Sequence, residues 1–311
     1  MDYTRFDRTP CIENGQCLGS AHVLDQQWGG WSESVSWTDV RVADVNGDGL
    51  DDVVGRTGGD WWVSKSTGNG FVNEFWGRWA DTVQWQDVLV ADVDGDGDSD
   101  IVGRANGQWW VARSTGTRFV NEPWGRWSDS VLWRDVHIAD VNGDGKSDII
   151  GRNEGDWWVA LSTGTRFATE HWGTWSNNVE WRHVQRADVN GDGLSDILGE
   201  TDGEWWAMVS DGNRFLTQFR GRWSNVDWQH VTVADLNGDG RSDIVGRVND
   251  EWWAGVSNND RFEVSYWGSW SRGVTFEAVR GADVDGDGKS DLVGLVNNQW
   301  RAVISGGHAF V

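Results

Sequence analysis

Short apolar stretches alternate with polar and glycine-rich segments along the whole chain, and nowhere do apolar residues recur at the three-to-four spacing of an amphipathic helix. Within one stretch of the chain, residues 35–42, 52–56, 60–66 and 71–75 read as strands a, b, c and d, rich in Val, Trp and Phe and separated by short turns of Gly, Asn, Asp and Ser. The same pattern returns along the sequence. The string Asp-x-(Asn/Asp)-Gly-Asp-Gly-x-x-Asp begins at Asp44, Asp92, Asp140, Asp188, Asp235 and Asp283, at spacings of 48, 48, 48, 47 and 48. The shorter unit lost its residue between Trp223 and Trp228, which marks a connection that tolerates deletion.

Four short strands per unit, repeated six times at a period of 40 to 50, predict an all-β six-bladed β-propeller of four-stranded blades. The last copy breaks off within strand d, at Phe310-Val311, and residues 21–27 precede the first full unit in the phase of a strand d. They are therefore expected to complete the last blade and close the ring, removing an open sheet edge. The chain divides into an N-terminal cap or tail, residues 1–20, and a single propeller domain, residues 21–311. Cys11 and Cys17 are spaced for a local disulfide, which points to an oxidising, extracellular setting and a secreted protein. The opening residues do not resemble a signal peptide, and no apolar run approaches the ~20 residues of a membrane span.

Composition sharpens the picture through charge and tryptophan. Forty-nine acidic against 26 basic residues give a net charge of -23, which repels phosphate backbones and anionic lipid, so neither nucleic acid nor a membrane is an expected partner. The acid is concentrated in the repeated string. Side-chain oxygens stand at its positions 1, 3, 5 and 9, a glycine at position 6 allows a sharp turn, and position 7 offers a carbonyl, a hard-cation cage that suits Ca2+ better than Mg2+. The candidate ligands are Asp44, Asn46, Asp48, Leu50 and Asp52; Asp92, Asp94, Asp96, Asp98 and Asp100; Asp140, Asn142, Asp144, Lys146 and Asp148. The later copies supply Asp188, Asn190, Asp192, Leu194 and Asp196; Asp235, Asn237, Asp239, Arg241 and Asp243; Asp283, Asp285, Asp287, Lys289 and Asp291. Position 12 is Gly55 rather than Glu, so this is no EF-hand. Twenty carboxylates fall on positions 1, 3, 5 and 9, and about six structural Ca2+ ions would relieve their mutual repulsion.

These units resemble FG-GAP or VCBS-type repeats, the calcium-loop blades of integrin alpha subunits and of certain fungal propeller lectins. The resemblance spans residues 28–311 and rests on the loop; no Phe-Gly or Gly-Ala-Pro string is present, and Trp-Gly-x-Trp and Trp-Trp take the place of the usual small residues. It implies a propeller and calcium, and leaves the ligand open.

Strand order places the a–b loops on one face and the b–c turns with the d-to-a connections on the other. Candidate ligand-binding residues cluster on the second face: Arg56, Asp60, Trp76 and Trp79; Arg104, Gln108, Trp124 and Trp127; Arg152, Asp156, Trp172 and Trp175; Arg247, Glu251, Trp267 and Trp270. An aromatic platform beside a guanidinium and a carboxylate suits a sugar, whose C–H face stacks while its hydroxyls take directional bonds. Packing competes: Arg56 and Asp60 could pair across a hairpin, and the Trp pairs at 61, 109, 157, 205 and 252 are expected in the core. The favoured reading is a multivalent carbohydrate-binding lectin with glycans as partners. The alternative is a calcium-rigidified protein-interaction or adhesion module with a protein partner. No enzyme is expected: the six His are scattered, and a polysaccharide lyase would need a Tyr/His pair where the only tyrosines are Tyr3 and Tyr266.

Overall fold

A computed structural model describes residues 28–258, 260–269, 276, 278–296 and 299–311. The first blade is β1 (Thr38–Ala43), β2 (Asp52–Thr57), β3 (Asp60–Ser66) and β4 (Phe71–Arg78), and the second is β5 (Gln86–Ala91), β6 (Asp100–Ala105), β7 (Gln108–Ser114) and β8 (Phe119–Arg126). Each strand pairs antiparallel with the next in sequence. Blades three to five repeat this at 134–174, 182–222 and 229–269. The sixth sheet has three strands among the described residues, Ala278–Ala282, Asp291–Val296 and Gln299–Val303. The six sheets stand in a ring, a six-bladed β-propeller, as the period predicts. Strand d runs three residues further than the sequence pattern suggests, to Arg78.

The core lies between blades. At the first junction Val54, Trp61, Val63, Trp76 and Trp79 of one blade pack against Val88, Ile101, Ala112 and Phe119 of the next. Equivalent clusters fill the four following junctions. The first Trp of each pair, Trp61, Trp109, Trp157, Trp205 and Trp252, is at most 1% exposed. The rings of Trp61, Trp109 and Trp157 meet Trp79, Trp127 and Trp175 of the Trp-Gly-x-Trp segments edge-on, each at 5.2 Å. Gly103 makes room for that packing: a Cβ there would stand 2.7 Å from the Trp79 ring.

The acidic loops add a polar seam. Ser99 N donates to Asp44 O at 2.8 Å and the buried Ser114 Oγ donates to Val45 O at 2.6 Å, tying the second blade to the loop of the first. The same two bonds recur at every junction through the sixth blade, ending with Ser290 to Asp235 and Ser305 to Leu236. The loops are thus linked in series.

The expected closing strand 21–27, the 1–20 tail and the Cys11–Cys17 disulfide lie outside the described residues. Trp28 does hold a strand d position: its carbonyl accepts Phe71 N at 2.8 Å, as Trp267 O accepts Phe310 N at 2.9 Å. On the sixth blade Trp300, the counterpart of the buried first Trp, is 67% exposed.

Candidate functional site

The a–b loops close on themselves as their residue types dictate. Asp44 Oδ1 accepts the N–H of Asn46 and Gly47, and its Oδ2 accepts that of Gly49. Asp48 N donates to Asn46 Oδ1, and Leu50 N to Asp48 Oδ1. The ninth-position residues Asp52, Asp100, Asp148, Asp196, Asp243 and Asp291 are fully buried. Each spans two elements: Asp100 Oδ2 accepts Val93 N at 3.1 Å and its Oδ1 accepts Ser114 N at 2.7 Å. Burial pushes the Asp100 carboxyl up to about 8 and those of Asp148, Asp196 and Asp243 up to about 7.

The donor set fits a hard divalent cation. One oxygen each from Asp92, Asp94 and Asp96 lie within 4.8 Å of one another, and Asp283, Asp285 and Asp287 do the same. Burial and the neighbouring Asp96 charge raise the Asp94 carboxyl, the cost a cation would remove. In copies three, five and six the seventh-position side chain folds back on the fifth: Lys146 on Asp144, Arg241 on Asp239 and Lys289 on Asp287.

On the opposite face the strand b arginines are held by strand a. Arg56 pairs with Asp39 at 2.6 Å, Arg104 with Asp87 at 2.7 Å and Arg152 with Asp135 at 2.6 Å, each guanidinium lying 5.7–5.9 Å from a core Trp ring. A bulge in strand a makes this possible: Asp39 takes a left-handed φ of 53° where the register shifts, aiming its carboxylate inward. His183 and His230 take the same backbone position, at φ 52° each, in blades four and five. There the charges are rearranged, with Glu200 pairing Arg182 and Arg247 pairing Asp250. Burial holds His137, His183 and His230 below the usual imidazole range, as expected of packing residues. Arg56 and Asp60 therefore do not pair; Asp60 holds Arg78 on strand d.

The Trp-Gly-x-Trp residues Trp76, Trp79, Trp124, Trp127, Trp172, Trp175 and Trp267 are 1–4% exposed and fill the junction cores, while Trp270 lies outside the described residues. The aromatic rings that reach the surface are others. Trp85 stacks on Trp79 at 4.0 Å and donates its indole N–H to Ala80 O, and Trp37, Trp133 and Trp181 repeat the arrangement. The second Trp of each pair, such as Trp110, is half-buried on strand c. Both signals recur in the repeat, the first as a Trp six residues after the buried one.

Three clefts open on this face. One of about 440 Å³ lies between the first two blades, lined by Arg78, Trp79, Ala80, Val83, Trp85, Ala105, Asn106, Gln108, Trp110, Asn121 and Arg126. A second, of about 300 Å³, includes Thr38, Arg56, Gly58, Asp81, Val83, Gln84 and Trp85. A third, of about 740 Å³, includes Arg134, Arg152, Glu154, Asn177, Val179, Glu180 and Trp181, the same places two repeats later. Arg56 and Arg152 thus line the second and third clefts, Gln108 lines the first, Arg104 is buried on strand b of the second blade, and Asp60, Asp156 and Glu251 begin the c strands of the first, third and fifth blades.

A family profile described as FG-GAP-like repeat matches residues 44–103, 92–151, 140–199 and 188–246. No curated protein matches the chain. Among solved structures, a lectin from Agrocybe aegerita that recognises non-reducing terminal N-acetylglucosamine superposes with a TM-score of 0.76 at 21% identity, over 89% of this chain and 79% of that one. The Photorhabdus luminescens Tc holotoxin pore matches with a TM-score of 0.56 at 18% identity, over 89% of this chain and 15% of its own. BBS1N, solved in complex with ARL6DN, matches with a TM-score of 0.51 at 11% identity, over 85% of this chain and 77% of its own. At these identities the likeness is one of fold.

Proposed function

The chain belongs to the FG-GAP-like repeat family, and on that footing we propose that it is a secreted, calcium-stabilised, multivalent carbohydrate-binding protein whose sites are the junction clefts opposite the acidic loops. The observation that carries this reading is the cleft between the first two blades. Trp85 and Trp110 wall it with aromatic surface and the Arg78 and Arg126 guanidinium groups stand around them, while the Gln108 and Asn121 amide N–H groups are committed to backbone carbonyls. A pyranose matches that pairing of apolar wall and directional donors. The lectin likeness supports the same reading, and so does the recurrence of the other two clefts at a two-repeat interval. Ca2+, held by the loop residues named above, would neutralise their carboxylates and stiffen the seam between blades, leaving recognition to the far face.

A glycan array read together with intrinsic tryptophan fluorescence tests the proposal. Saccharide binding that perturbs the emission and is weakened at least about tenfold by Trp110→Ala supports it. An array without signal, in calcium and after chelation alike, refutes it.

A protein-docking role has one observation in its favour. The outer strands expose Phe75, Phe219 and Tyr266 at 46–54%. If Phe219 and Tyr266, on the neighbouring fourth and fifth blades, are the working surface, Phe219→Ser abolishes partner capture and leaves the array unchanged.

A further inference from the structure

The first-junction cleft differs from its counterparts in two ways that meet in one place. In the four other four-stranded blades strand c opens with a carboxylate, Asp60, Asp156, Glu204 or Glu251; in the second blade it opens with Gln108. In the first, third and fourth blades that carboxylate engages the end of strand d: Asp60 holds Arg78, Glu204 holds Arg222, and Asp156 bonds Thr174 at 2.9 Å and His171 at 3.2 Å. In the second blade the cation remains but its partner is gone. Arg126 donates to Asn106 O at 3.2 Å, and no carboxylate lies within 4.0 Å of it among the described residues. The Gln108 amide is turned to the backbone, donating to Gly125 O and Trp109 O.

The second departure is steric. The second Trp of the pair is elsewhere met edge-on by a ring from strand d: Phe75, His171, Phe219 and Tyr266 lie 5.2–5.9 Å from Trp62, Trp158, Trp206 and Trp253. Trp110 instead faces Pro123 across the strands. The smaller ring leaves the indole as a wall of the cleft.

Resting on the carbohydrate reading above, we propose that the cleft between the first two blades selects a pyranose bearing a carboxylate, with the sugar's C–H face against Trp110 and the acid on Arg126. In a chain of net charge -23 an anion gains nothing from the long-range field, so its selection has to be local. An uncompensated guanidinium at the rim of an aromatic cleft supplies that local term, and its planar fork matches a carboxylate. The carboxylate that stands at Gln108's place in the other blades would repel such a ligand.

The test is calorimetric titration of the full chain with matched pairs, a glucuronate-terminated against a glucose-terminated disaccharide and sialyllactose against lactose, at low and high salt. The acidic member of at least one pair is expected to bind about tenfold more tightly, a margin that shrinks with salt; which pair shows it identifies the acid. Arg126→Gln should bring the ratio to about one, and Gln108→Glu should invert it. Pro123→Phe should weaken both members of the pair. The last two variants install residues that other blades already carry at the same place, Glu204 and Phe75, so they are compatible with the fold. A ratio near one in the unmodified chain, or one that survives Arg126→Gln, overturns the acid selection; Pro123→Phe weakening a neutral sugar would then leave the carbohydrate reading standing. Absence of binding by every saccharide overturns both.

Discussion

The buried aspartates that end the loops give the chain a pH dependence whose sign calcium should reverse. Asp100, Asp148, Asp196 and Asp243 are shut off from water, and burial lifts their carboxyls from 3.8 to about 8 for the first and about 7 for the others. Between those limits the folded chain holds protons that the unfolded chain has released. Without metal, the stabilisation from these groups is therefore complete below about pH 4 and is lost as pH rises through about 7 to 8. One such group changes the unfolding free energy by about 1.4 kcal/mol per pH unit, so four together give up to about 5 kcal/mol per unit. With about a quarter of that slope surviving relaxation and water entry, the loss from about pH 5 to about pH 7 is on the order of 2–3 kcal/mol, or roughly 5 °C in Tm. A cation takes the place of the protons, binds the ionised form and stabilises according to its free concentration, most where the protons have left. Circular dichroism melts from about pH 5 to about pH 8, in chelator and in calcium, read both limbs. In chelator Tm should fall across that window, and the gain from calcium should be larger at the alkaline end. A chelated Tm that is flat or rises with pH, or a calcium gain no larger at high pH, would refute the reasoning.

Two further outcomes separate packing from recognition. Trp109→Ala removes a fully buried ring and should cost about 3–5 kcal/mol in a denaturant or thermal melt, whereas Trp110→Ala, half-buried in the cleft, should cost less than about 2 kcal/mol while removing saccharide binding. Deleting residues 1–27 should lower Tm and raise binding of a hydrophobic dye, because Trp300 on the sixth blade and Val42 and Val40 on the first are 67%, 65% and 44% exposed; an unchanged melt would argue against a closing role for that segment.

What could be read in the sequence, and what could not, divides along a physical line. Contacts within one unit repeat with the unit, so the hairpins, the turn positions and the acidic loops followed from the period alone. Contacts between units did not. Trp79 looked available because it falls in a connection, yet its backbone N–H is taken by Gly59 O, the carbonyl of its own blade's hairpin turn, its indole N–H by Asn121 Oδ1, and its ring is seated on Gly103 of the next blade. Asp60 looked like the partner of Arg56 because the two flank one turn, but a left-handed residue at a bulge seventeen positions upstream brings Asp39 to the guanidinium first. The cleft shows the converse. Gln108 and Pro123 were plain in the chain, and each alone is an ordinary substitution; only the register that sets Gln108 opposite Arg126, and Trp110 opposite Pro123, turns two departures into one local change of charge and access. In a repeat protein the informative residues for ligand choice are therefore those that break the repeat at sites where the fold brings them together, while the residues that keep it report on how the ring holds.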